Sequence, residues 1–227
     1  MKPIIGIVSR PDVLKSERQV DIVYQSIRKI ITELGGIPFV IIPPIIKESK
    51  KLTLEEKQDF NRLLSLCDGF VFQGGDNFYD YDLYVVDYAY QSNIPSLGIC
   101  LGMQLMSVYK NGVLGKLNTN MHYQLKNYVH SIKIKENSKL ASILKKEELE
   151  VNSRHHDYVI QTDLDVVATS TDVIEAVEDS KKTFFIGVQW HPEDMIAYDE
   201  VMKQLWMAFI VACRECSYES KGSNYKM

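Results

Sequence analysis

The chain has 227 residues, 45% hydrophobic and 25% charged, which suits one substantial domain with an ordinary core and is too short for two full ones. Its net charge is −4, so it carries no basic footprint for nucleic acid. Four cysteines, at 67, 100, 213 and 216, do not form the disulfide framework of a secreted chain of this size, and a cytoplasmic protein is expected.

Ile4 to Val8 is a five-residue apolar run, too short for the core of a signal peptide, and predicts a buried first strand. Val23, Ile27, Ile30, Ile31 and Leu34 then recur at helical spacing, and Gly35-Gly36 ends that helix. Pro38 to Ile42 reads as the next strand. It lies within the longest apolar stretch, Ile37 to Ile46, which is interrupted by Pro38, Pro43 and Pro44 and falls well short of a membrane span. Thr53-Leu54-Glu55-Glu56 has the form of a capping box and opens a helix to about Leu66. A third strand, Gly69 to Gln73, stops at Gly74-Gly75-Asp76-Asn77. A helix from about Tyr81 to Gln91 leads to strand Ile94 to Ile99, which delivers Cys100.

Strands alternating with helices predict a parallel sheet with crossover helices. From about Val129 the pattern changes to short strands: Val129 to Ile134, Tyr158 to Gln161, Val166 to Thr169, Val173 to Val177 and Phe184 to Gln189. No linker separates the halves, so these strands extend the same core. The expected fold is an α/β, flavodoxin-like three-layer sandwich over residues 1–215. It has a mostly parallel central sheet, helices on both faces and an added mixed or antiparallel segment in the C-terminal half. A closing helix from about Glu200 to Cys213 precedes a polar tail over 216–227, expected to fray.

Chemistry concentrates in two short segments. In Gly98-Ile99-Cys100-Leu101-Gly102-Met103-Gln104 a cysteine stands between two glycines, after a strand and before a helix. A turn sharp enough to present that side chain strains its backbone and leaves no room for a Cβ on either side. A thiol becomes a strong nucleophile once an adjacent imidazole takes its proton, and the imidazole needs a carboxylate to fix its tautomer. Gln189-Trp190-His191-Pro192-Glu193, following a second apolar run, supplies both groups. A lone cysteine among Leu, Ile and Met is usually core filling. Its coincidence with elbow glycines, the His-Pro-Glu segment and a glycine-ended strand points to Cys100, His191 and Glu193 as a triad. Cys213-Arg214-Glu215-Cys216 has metal-like spacing but lacks a second ligand pair and reads as incidental. No phosphate loop, dinucleotide fingerprint or metal cluster is visible, so no cofactor or metal is expected.

The elbow and Trp190-His191-Pro192-Glu193 together resemble the class I glutamine amidotransferase fold. The segments Val151-Asn152-Ser153-Arg154-His155-His156 and Val173-Ile174-Glu175-Ala176-Val177-Glu178 resemble its γ-glutamyl-γ-aminobutyrate hydrolase, or peptidase C26, branch. The resemblance covers roughly residues 4–195. It implies that Cys100 is the nucleophile, His191 the base and Glu193 the orienting acid. It implies an oxyanion hole built from the N–H groups of Gly75, with Gly74 beside it, and Leu101. Gln104, Ser153, His155 and His156 fall at positions that face the glutamyl head. The implied reaction is hydrolysis of a γ-glutamyl amide through a thioester on Cys100. The implied partners are a small γ-glutamyl substrate or glutamine, with room for a homodimer or for a separate synthase subunit that receives ammonia; a non-catalytic sensor on the same fold is the third reading. Three departures mark this chain. Leu101 stands where arginine usually follows the nucleophile, Tyr81-Asp82-Leu83-Tyr84-Val85 lacks the arginine and glutamate of the Arg-Asp-x-x-Glu segment, and Asp157 follows the histidine pair in place of glutamine.

Overall fold

Nine elements of the first half alternate between short apolar strands and amphipathic helices, broken by one hairpin. In the computed structural model, which describes residues 1–45, 51–118 and 121–222, they run β1 (Ile4–Val8), a hairpin of β2 (Arg10–Val13) and β3 (Gln19–Ile22), α1 (Gln25–Glu33), β4 (Ile37–Ile41), α2 (Leu54–Leu64), β5 (Gly69–Phe72), α3 (Asp80–Gln91) and β6 (Ser96–Ile99). Then follow α4 (Leu101–Tyr109), β7 (Val113–Lys116), β8 (Tyr123–Gln124), β9 (His130–Ile134), α5 (Lys139–Leu144), β10 (Glu148–Val151), β11 (Ser153–Arg154), β12 (Asp157–Gln161), β13 (Asp165–Ser170), β14 (Val173–Glu178), β15 (Phe185–Val188) and α6 (Glu200–Gly222). The capping box reads as expected: Thr53 Oγ1 accepts from Glu56 N–H at 3.2 Å, and Glu56 Oε2 accepts from Thr53 N–H at 2.7 Å. Ile46 and residues 223–227 of the expected tail lie outside the described residues, and α6 continues past Cys213 to Gly222.

The main sheet has the order β10-β9-β13-β14-β15-β6-β5-β1-β4, with β12 bridging β14 to β7. From β4 to β15 neighbours are parallel, and from β15 outward they are antiparallel. The α/β class and the antiparallel extension are as the patterning predicts, but the sheet is mixed, not mostly parallel: the strands after β6 add more antiparallel pairings than the first half has parallel ones. Alternation along each strand divides the core. Ile5, Ile7, Val71, Leu97 and Ile99 pack with Ile27 and Ile31 of α1 and with Trp206 and Phe209 of α6. Phe70 and Phe72 point the other way, onto Phe60 of α2, Val85 of α3 and Met103 and Met106 of α4. Among the described residues no helix is long and apolar enough to cross a membrane.

Three adjacent parallel strands, β5, β6 and β15, all end at the same edge of the sheet. Gly74 follows the first, Cys100 the second and His191 the third. Carboxyl ends of strands in open α/β sheets are where ligand crevices form.

Candidate active site

Cys100 sits between β6 and α4 with φ 52° and ψ −106°, a left-handed conformation that costs a non-glycine residue about 1–3 kcal/mol. The surroundings enforce it. Its N–H donates to Val188 O at 2.8 Å, tying the turn to β15. A Cβ on Gly98 would stand 2.7 Å from the Gly102 carbonyl carbon, and one on Gly102 would overlap the Phe72 carbonyl oxygen. Both elbow glycines are therefore required by close backbone approach. Cys100 caps α4, so the unpaired first-turn N–H groups, that of Leu101 included, present positive charge beside the thiol.

His191 Nδ1 lies 2.8 Å from Glu193 Oε1, and the pair is buried. The imidazole and the Cys100 thiol line the same cavity and meet over Gly74. Burial alone would lower the basicity of His191; Glu193, seconded by the neighbouring Cys100, outweighs it and holds the group well above its usual 6.5. Both residues crowd Gly74: a Cβ there would stand 3.0 Å from His191 Cε1 and 3.7 Å from Cys100 Cβ. Gly75 is wedged between Arg10 and Leu101, each 3.2 Å from where its Cβ would stand.

Cys100, His191 and Glu193 open onto a cavity of about 290 Å³, near the lower end of the usual size of small-molecule sites. Tyr24, Gly75, Asp76, Tyr123, Arg154 and Asp194 complete most of its wall, and Arg154 is paired with Asp194. A narrower hollow shares Tyr24, Gly75 and Asp76 with it and leads on to a cavity of about 440 Å³ along the β2–β3 hairpin, flanked by Asp12 and Asp21. Together these hollows form a groove that runs away from Cys100 with carboxylates along it, Asp76 first and Asp12 and Asp21 beyond.

The other residues singled out from the sequence lie behind the cavity. Gln104 is buried and donates to Asp157 O at 2.9 Å and to Gln189 Oε1 at 3.2 Å, while Gln189 Nε2 reaches Cys100 Sγ at 3.5 Å. Ser153 and His155 face away from the cavity: Ser153 Oγ donates to His122 O at 2.7 Å. His156 stacks on Tyr123, with ring centroids 4.5 Å apart. Along an extended segment alternate side chains point oppositely, so the residue turned into the cavity is Arg154, which the sequence reading passed over.

Three further groups were not legible. Asn152 Nδ2 donates to His191 O at 2.9 Å and its Oδ1 accepts from His191 N–H at 2.8 Å. Arg10, from the start of β2, pairs with buried Asp82 at 2.5 Å and donates to Asn77 O, so the arginine missing next to Asp82 in sequence is supplied from elsewhere. His122, His130, His155 and Glu175 cluster with one potential ligand atom each, all within 4.8 Å of one another. Burial lowers His130 to about 4 and His155 to about 3, and raises Glu175. No local spacing announces this group, because its members come from four separate segments. Cys213 is buried against Gly69 in the core.

Residues 79–193, about half the chain, match the Peptidase C26 family. A glutamine amidotransferase-like protein of Rickettsia prowazekii is 28% identical over 85% of this chain and 91% of its own length. The GMP synthase of Francisella tularensis subsp. novicida is 33% identical over 65% of this chain, but only 28% of that enzyme is covered. Among solved structures, the glutaminase domain of Trypanosoma brucei CTPS with bound acivicin superposes with a TM-score of 0.68 at 17% identity, covering 94% of both chains. A glutamine amidotransferase of Thermotoga maritima gives 0.63 at 16% identity, covering 94% of this chain and 99% of that one.

Proposed function

The chain belongs to the peptidase C26 family, and from that membership and the site geometry we propose that it is a cysteine-dependent amidohydrolase releasing glutamate from γ-glutamyl amides. The observation that carries this reading is the strained Cys100 at a helix N-terminus, sharing one cavity with a His191 that is itself held by Glu193 at 2.8 Å.

In this mechanism Cys100 passes its proton to His191, leaving a nucleophilic thiolate beside an imidazolium. The sulfur attacks the substrate's δ-carbonyl carbon. The negative oxygen is held by the N–H groups of Leu101 and Gly75, and losing one such donor typically costs about two to three orders of magnitude in rate. His191 protonates the amide nitrogen, the C–N bond breaks, and a γ-glutamyl thioester remains. Water then gives its proton to His191, attacks the thioester and releases glutamate and the thiol. Glu193 keeps the imidazole in the tautomer and orientation both halves need.

The glutamyl head is a zwitterion, and the cavity offers complementary charge: Arg154 for the α-carboxylate, and Asp76 and Asp194 for the α-ammonium group. Gln104, Ser153, His155 and His156 act one layer back, bracing this wall. The groove continuing toward the hairpin supports a leaving amine larger than ammonia.

A second reading has a specific basis in the similarity to GMP synthase and to a CTPS glutaminase domain. On it, the chain hydrolyses free glutamine and passes ammonia to a separate synthase subunit. Mass spectrometry of a panel of γ-glutamyl amides incubated with the lone chain separates the two. Glutamate release that is lost in Cys100→Ala supports the hydrolase. Turnover of glutamine alone, rising on addition of a partner, supports the glutaminase, and unchanged turnover in Cys100→Ala defeats both.

A further inference from the structure

The buried cluster His122, His130, His155 and Glu175 lies outside the chemistry assigned to Cys100, and its hydrogen-bonding pattern is incomplete in a particular way. Glu175 is fully buried on β14, with its C=O accepting from Gln189 N–H at 2.8 Å and neither carboxylate oxygen accepting a hydrogen bond. Facing Oε1 are His122 Nδ1 at 3.3 Å, His130 Nε2 at 3.4 Å and His155 Nε2 at 3.9 Å. None of these three nitrogens has a hydrogen-bond partner either. Five buried polar atoms left unpaired around one point would ordinarily be a heavy penalty.

The far sides of two rings make the pattern sharper. His155 Nδ1 lies 3.0 Å from Asp157 O, and His130 Nδ1 lies 3.4 Å from Ser131 O. A carbonyl only accepts, so each Nδ1 carries the hydrogen. In the neutral rings both Nε2 atoms then present lone pairs to a carboxylate, which is repulsive without a cation between them. A histidine that ligates a metal has this same arrangement, with its distal N–H donated to a backbone carbonyl.

We propose that His122 Nδ1, His130 Nε2, His155 Nε2 and a Glu175 carboxylate oxygen form a structural zinc site. Three imidazoles and one carboxylate suit Zn²⁺, and four protein ligands with no open position are the mark of a structural site. Tetrahedral bonds of about 2.0–2.1 Å place ligand atoms about 3.4 Å apart, close to the His122 and His130 separations from Glu175. The remaining atoms, within 4.8 Å of one another, close in around the ion.

The site would have a mechanical role. His122 adjoins β8 and His155 follows β11, and these two strands pair to carry Tyr123 and Arg154 of the cavity wall. His130 and Glu175 belong to β9 and β14 of the main sheet. Zinc would fasten this two-stranded sheet to the main one. The inference does not depend on Cys100 being catalytic.

The test uses the full chain carrying Cys100→Ala, stripped with a chelator and then loaded with Zn²⁺. About one zinc per chain should survive competition by a chromophoric chelator, with a raised melting temperature. X-ray absorption should show only nitrogen and oxygen ligands, with imidazole scattering. Glu175→Gln and, separately, His122→Ala should weaken retention at least ~10-fold. His122 lies outside the strands of the main sheet, so its replacement spares them, while the absorption spectrum needs no variant at all. Failure to retain zinc, sulfur in its coordination shell, or equal retention in folded variants would overturn the proposal and leave the cluster held by protons or water.

Discussion

Asn152 grips His191 by both ends of one residue's backbone, donating to its carbonyl at 2.9 Å and accepting its N–H at 2.8 Å. The imidazole is thereby fixed from β10's end as well as from Glu193. Asn152 is fully buried, so Asn152→Ala strands a backbone donor and an acceptor. A stability loss of about 1–3 kcal/mol is expected from chemical denaturation. Alkylation of Cys100 should slow at the same time, while the substrate KM changes little. A fast, wild-type alkylation rate would show that Asn152 supports only the fold.

Glu193→Gln should change the pH dependence in a definite direction. His191 is held above its usual 6.5 in the folded chain, chiefly by the Glu193 carboxylate against the effect of burial. A raised folded-state value means that the stabilisation is fully present below the unfolded value and is lost as pH rises through the folded one. The denaturation midpoints of wild type and Glu193→Gln should therefore differ most near pH 6 and converge at alkaline pH. The alkaline limb of kcat/KM should move to lower pH in the variant, with kcat falling up to about 10⁴-fold by analogy with removal of an orienting carboxylate. An unmoved limb would assign that limb to another group.

Gly74→Ala and Gly102→Ala make a contrasting pair. An added methyl on Gly102 would overlap the backbone carbonyl of Phe72, which cannot yield cheaply, so a loss of about 1–3 kcal/mol or more is expected. On Gly74 it would stand 3.0 Å from the His191 ring, a side chain that can shift. Gly74→Ala should melt close to wild type yet lose most γ-glutamyl hydrolysis. Calorimetry alongside the amide assay checks both, and equal effects on stability would refute the distinction.

What the sequence revealed was local. Thr53 and Glu56 satisfy each other across three residues, and Gly98 and Gly102 flank Cys100 within one turn, so short spacing carries their physics. The hairpin β2–β3 escaped detection because Arg10-Pro11-Asp12-Val13 shows no apolar alternation and carries a proline. Asn152, Arg154 and Arg10 act on partners far away in the chain, and nothing in their own neighbourhoods says so. In Ser153-Arg154-His155 the resemblance directed attention to the serine and histidine. Strand alternation turns the intervening arginine into the cavity instead.

Arg10 and Asp82 form a buried ion pair that anchors the segment after Gly75. Arg10→Ala leaves a carboxylate buried without its partner and should cost about 3–5 kcal/mol. The double variant Arg10→Met with Asp82→Leu removes both charges and should recover much of that loss. Urea denaturation of wild type, Arg10→Met, Asp82→Leu and the double variant measures the coupling. Additive single and double effects would mean that Arg10 stabilises the fold through its bond to Asn77 O and not through Asp82.

The acidic groove predicts selectivity among leaving amines. Asp76 lines the passage from Cys100, and Asp12 and Asp21 lie beyond it on the hairpin. A γ-glutamyl amide whose amine carries a second, cationic nitrogen would place that charge among these carboxylates, whereas an amine ending in a carboxylate would be repelled. Exposed charge pairs are worth little individually, about 0.2–1 kcal/mol, so the preference for the cationic conjugate should be several-fold in kcat/KM and should shrink as salt is raised. Asp12→Asn with Asp21→Asn should erase it through KM, leaving kcat for small γ-glutamyl amides unchanged because neither residue approaches Cys100. Equal selectivity in wild type and the double variant would remove the hairpin from the substrate's path.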